Sequence, residues 1–172
     1  MKKIISAIVL ILIGAVLVNY FYGSNGATDH KNATYGIDGE SVTLTDGSSE
    51  TAIPGSTATV VTRYFGNEVR TDLNDDGRVD VVFLLTQQTG GTGTFYYVVA
   101  ALDTAEGVVG SEGFLLGDRI APQTTEAGEG GIIIVNYADR NPGESFAVQP
   151  TRGKSAYLRL DPETLRLVEV PR

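Results

Sequence analysis

Residues 72–80 read Asp-Leu-Asn-Asp-Asp-Gly-Arg-Val-Asp. Oxygen-bearing side chains fall at the first, third, fifth and ninth places of this loop, on Asp72, Asn74, Asp76 and Asp80. Arg78 can lend a backbone carbonyl, and Gly77 permits the sharp turn that brings the oxygens onto one centre. The chemistry such a set does is to hold a hard cation. Ca²⁺ takes six to eight oxygens at about 2.3–2.6 Å, and this spacing supplies most of them. Asp75 adds a fourth acid to the nine residues. Four carboxylates so close repel one another in a bare turn, and a cation removes that cost. The competing reading is a polar turn without metal, because Asn, Asp and Gly dominate turns for backbone reasons alone.

The residues after the loop narrow the choice. An EF-hand places a bidentate Glu at the twelfth position and continues as a helix. Here the twelfth position is Phe83, inside the run Val81-Val82-Phe83-Leu84-Leu85, which reads as a strand. The nine-residue pattern running directly into a strand instead resembles the calcium loops of FG-GAP blades, of the integrin α type. That resemblance implies side-chain ligation by Asp72, Asn74, Asp76 and Asp80 and carbonyl ligation by Arg78.

Other chemistries find few of their parts. His30 is the only histidine and Cys is absent. His30 lies in a polar stretch, where a solvated, idle role is expected. With no histidine expected in the domain, Ser-His-Asp and Cys-His catalysis and His/Cys zinc sites lack their residues. Gly153-Lys154-Ser155 mimics the end of a phosphate loop, but Val148 occupies the place of its first Gly. Glu112, Glu126, Glu129 and Glu144 could in principle supply the paired carboxylates of a glycan or peptide hydrolase, which is the alternative to a non-enzymatic role. Asp118-Arg119 and Asp139-Arg140 are expected to make turn hydrogen bonds and ion pairs, although a partly buried Arg also suits recognition of a carboxylate or sugar.

Three segments position these residues. Lys2 and Lys3 precede residues 4–22, which carry no charge and end in Tyr20, Phe21 and Tyr22. As a helix at about 1.5 Å per residue they match a hydrocarbon core of about 30 Å, with an aromatic belt at the far end. The expectation for 1–22 is an uncleaved signal-anchor that crosses the cell membrane once and leaves the C-terminal domain outside the cytoplasm. A cleaved signal peptide is the alternative, but no Ala-x-Ala site comes after the run. Residues 23–33 read as a polar tether. Residues 34–172 read as one extracytoplasmic domain of ordinary size that needs no disulfide staple.

That domain reads as all-β: a single sandwich- or barrel-like antiparallel domain behind one N-terminal transmembrane helix. Gly is abundant, and turn signals recur about every eight to twelve residues. Strands are expected over 41–45, 59–65, 79–87, 95–102, 114–116, 132–137, 157–160 and 165–170. Asp46-Gly47 offers a tight hairpin turn. Pro-bearing turns are expected at Asn141-Pro142-Gly143 and at residues 161–164. The 21 acids exceed the 13 Lys and Arg, for a net charge of −8. Nucleic acid is thus an unsuitable partner.

Residues 63–68, the acidic loop, and residues 93–99, 116–125 and 135–140 together look like an uncharacterised exported domain of the bacterial envelope, of the kind found before small lysozyme-inhibitor or META-like barrels. The resemblance implies an envelope location and carries no activity with it. The functional expectation is a membrane-anchored structural or interaction module stabilised by Ca²⁺, with an envelope protein or glycan as its partner.

Overall fold

Val81, Val82, Phe83, Leu84 and Leu85 are all fully buried, so this strand does not alternate between core and solvent. Both faces of the sheet at this point are covered, which is why the run is apolar at every position. Its even members, Val82 and Leu84, join Val98, Ala100, Ile133, Val135 and Leu158 in one core cluster. Its odd members, Val81, Phe83 and Leu85, join Tyr35, Ile37, Leu44, Tyr97 and Val99 in a second. Each such side chain contributes about 1.5–3 kcal/mol by leaving water, so this strand and its partner are the spine of the molecule.

The structure is a computed structural model and describes residues 29–171. The expected membrane span at 4–22, and most of the expected tether, lie outside the described residues. The fold is all-β and antiparallel, with a curled sheet that forms a half-barrel. Among the described residues twelve strands run in order: β1 (Thr34–Ile37), β2 (Glu40–Thr43), β3 (Ser48–Ala52), β4 (Thr59–Thr71), β5 (Asp80–Gln88), β6 (Phe95–Thr104), β7 (Gly107–Gly110), β8 (Phe114–Asp118), β9 (Ala121–Ala127), β10 (Ile132–Asp139), β11 (Arg152–Asp161) and β12 (Arg166–Glu169). The larger sheet runs β3-β4-β5-β6-β7, and β8 pairs with the first half of β6. A four-stranded sheet, β12-β11-β10-β9, covers the even face of β5. The β1–β2 hairpin covers the odd face.

The turn chemistry explains the short connections. Asp46 and Gly47 both have positive φ, 50° and 80°, between Thr45 and its antiparallel partner Ser48. That is the backbone of a type I′ turn, whose twist matches the flanking strands. Asp38 and Gly39, at 53° and 83°, do the same between β1 and β2.

Two expectations are corrected. The strand expected over 59–65 does not stop before Gly66 and Asn67. Both residues take positive φ, the pairing with β5 shifts register around them, and β4 continues as a bulged strand to Thr71. His30 is not solvated. It is 6 % exposed, its ring centroid lies 5.0 Å from that of Phe83 and 5.6 Å from that of Tyr64, and Ala33 beside it is also buried. The segment enters the odd-face core because Phe83 and Tyr64 leave an aromatic seat that an imidazole fills.

Candidate metal centre

The acidic loop joins β4 to β5, and the pair Thr71–Asp80 closes it. Leu73, the one large apolar residue near its start, packs against the even-face core and anchors the loop from below. Asp75 and Gly77 adopt positive φ of 60° and 82°. A side chain at Gly77 would meet nothing within 4 Å. The glycine is required there by backbone conformation, not by space.

The first carboxylate organises the turn. Asp72 accepts the Gly77 N–H at 2.8 Å on one oxygen, and the N–H groups of Asp76 and Asn74 at 3.2 and 3.3 Å on the other. These bonds, that from Gly77 foremost, hold its carboxyl below the usual carboxylate range. Asp76 accepts the Arg78 N–H at 2.8 Å, and the Asn74 amide donates to it at 3.2 Å. The Asn74 carbonyl oxygen accepts the Asp76 N–H at 3.3 Å. Asp72, Asn74 and Asp76 are thus gathered on one turn, as the spacing implies, with side-chain oxygens that retain lone pairs beyond the N–H bonds they accept.

Asp80 is placed differently. It is fully buried, and it accepts the Leu73 N–H on one oxygen and the Asp103 N–H on the other, both at 2.9 Å. The first bond closes the loop, and the second ties it to the end of β6. Burial pushes the Asp80 carboxyl up, the two N–H bonds oppose this, and the charges of Asp76 and Asp72 push it further up. No Lys, Arg or His forms an ion pair with it among the described residues. In kind the donor set fits a hard cation: oxygen only, three carboxylates and an amide. The fit in placement is partial. Among the described residues no three His, Cys, Asp or Glu side chains stand close enough together to enclose an ion.

The two neighbouring Asp-Arg pairs have structural employment. Asp118 and Arg119 form the expected pair, with Nη2 to Oδ2 at 2.6 Å, and Asp118 also accepts the Thr94 N–H. Asp139 pairs with Lys154 at 2.7 Å and not with Arg140. The Arg140 guanidinium instead donates to the carbonyls of Val148, Arg119 and Phe146, which fastens the 140–151 loop. Asn141-Pro142-Gly143 turns as expected within that loop. Sequence reasoning missed the cluster around His30. Its Nε2 lies 3.2 Å from Glu68 Oε2, to which Tyr64 donates its hydroxyl at 3.0 Å, while Arg70 pairs with the other Glu68 oxygen. The only signal was the alternation of Tyr64, Glu68 and Arg70 along one strand, which does not point back to a histidine in the segment before β1.

Comparison of the chain with protein-family models, with curated proteins and with solved structures finds no match.

Proposed function

We propose that this chain is a membrane-tethered module of the bacterial envelope, facing outward, that serves structure or interaction and is stabilised by one Ca²⁺ in the 72–80 loop. Asp72, Asn74, Asp76 and Asp80 supply side-chain oxygens, and Arg78 its carbonyl. The observation that carries the metal reading is Asp80. Asp80 is fully buried, has no cationic side chain paired to it among the described residues and feels the charges of Asp76 and Asp72, so its ionised form is costly unless a positive charge compensates it. The 4–22 run behind Lys2 and Lys3 supports the tether and its orientation. The acidic surface argues against nucleic acid as partner.

Two experiments test the reading. Cells expressing the full chain are fractionated and treated with protease from outside. The chain is expected in the membrane fraction with residues 29–171 accessible. A mature protein whose N-terminus begins after residue 22 and which floats free contradicts the tether. Flow dialysis of the purified chain with radioactive calcium is expected to find one ion per chain, with a dissociation constant of about 10⁻⁴–10⁻³ M, as in other extracellular modules.

A further inference from the structure

Among the described residues an open groove runs between β8 and β12. Among the described residues each of these strands has one strand neighbour: β8 pairs with β6, and β12 with β11. Glu112 draws them together at one end. It bridges to Gly36 and, in parallel sense, to Arg166, and its N–H donates to the Leu165 carbonyl at 2.8 Å. The ladder along the outer edge of β12 therefore begins at Arg166 and then stops, and an open groove of about 660 Å³ takes its place. Unpaired strand edges of this kind are templates for another strand.

The groove also has a side-chain character. β8 offers Leu115, 48 % exposed, and β12 offers Val168, 43 % exposed. Its charged members are Asp38, Glu112 and Glu169 against the single base Arg166. Asp38 is held in place by the Tyr97 hydroxyl at 2.8 Å, and Glu112 by the Gly39 N–H at 3.1 Å. None of the four charged residues stands in an ion pair among the described residues. A groove walled by an unpaired edge, flanked by one exposed apolar side chain on each wall and rimmed by excess acid is complementary to an extended chain that alternates apolar and basic residues.

We propose that the β8–β12 seam binds an extended, Lys- or Arg-bearing segment of a partner protein, which continues along β12 the ladder that Glu112 begins. This gives the interaction module its partner class and rests on that reading, but it does not use the acidic loop. The probe is a capped, fluorescein-labelled peptide of alternating valine and lysine, titrated into the full chain in non-ionic detergent and followed by anisotropy. Its counterparts are a valine–glutamate peptide and a valine–lysine peptide N-methylated at alternate residues. The expected result is saturable binding of the first, with the other two weaker by about tenfold or more. Val168→Lys, at an exposed position, is expected to weaken binding by about tenfold. Equal binding of the lysine and glutamate peptides, indifference to N-methylation, or no saturation at millimolar chain overturns the proposal. So does cleavage of the peptide that Glu112→Gln abolishes, which would make the groove hydrolytic. A concentration-dependent dimer that Val168→Lys dissolves would assign the seam to a second copy and overturn it as well. Titrations in Ca²⁺ and in EGTA keep the two readings apart: binding in both supports the seam whatever the loop does.

Discussion

His30 and Asp80 show how much one residue's placement decides. His30 fills a seat between Phe83 and Tyr64 and lies against Glu68. His30→Ala is therefore expected to lower stability by about 2–4 kcal/mol in a denaturant melt, as large-to-small changes in packed sites do. An unchanged midpoint would mean that the segment before β1 is not seated in the core. For Asp80 the expectation concerns pH. A carboxyl whose folded pKa is raised stabilises the fold only while protonated. Its contribution is present below the ordinary carboxylate value of about 4 and is lost as pH rises through the raised value. In EGTA, the stability of the wild type relative to Asp80→Asn should thus fall as pH rises above about 4, and Ca²⁺ should remove that fall. A wild-type-minus-variant difference that is flat across this range contradicts the buried, uncompensated carboxylate. That Asp72, Asn74 and Asp76 share one hydrogen-bonded turn was legible because the turn is local in sequence. The second duty of Asp80, holding the Asp103 N–H, was not, because that partner arrives through β6 pairing 23 residues away.

Strands were legible where they fill the core. β5, β6 and β10 announce themselves through runs of Val, Ile, Leu and aromatic residues. β1, β3, β7 and β9 were not read as strands. They are short or rich in Ser, Thr, Glu and Gly, and β9 carries Pro122 where its pairing with β10 shifts register. Tertiary pairing, and not side-chain preference, makes these segments extended. The β1–β2 hairpin gives a test at this scale. It closes the odd face of β5, and Gly110 of β7 lies so close to it that an added Cβ would overlap the Thr34 carbonyl and sit 2.7 Å from the Tyr35 ring. Gly110→Ala is expected to cost about 1–3 kcal/mol or more, because the atom in the way is backbone and cannot rotate aside. It should also raise binding of an apolar dye such as ANS as the Phe83 face opens. A variant with wild-type melting and no dye signal would show that the hairpin does not depend on this approach.

At the scale of residues 29–171 a half-barrel carries two buried faces on one spine, with a loop that ties β4, β5 and β6 together at one end and a net negative charge over the chain. The loop's link to both Leu73 and Asp103 means that an ion held there braces the spine itself. Its effect should therefore appear in global stability and not only in local order. With a dissociation constant of about 10⁻⁴–10⁻³ M, linkage gives roughly 0.4 kcal/mol at equal ion concentration and roughly 2.7 kcal/mol at about 100-fold excess. Mg²⁺ should do less, because it demands six tighter, near-octahedral contacts. The most direct measurement is the melting temperature of the full chain in detergent, titrated with Ca²⁺ from EGTA to about 10 mM, for wild type, Asp76→Ala and Arg78→Ala. A rise of several degrees is expected for wild type and for Arg78→Ala, from which the proposed centre takes only the backbone oxygen, and none for Asp76→Ala. A wild-type melt that Ca²⁺ leaves unmoved, or an Asp76→Ala melt that rises with it, would contradict the metal centre and leave the loop an acidic turn.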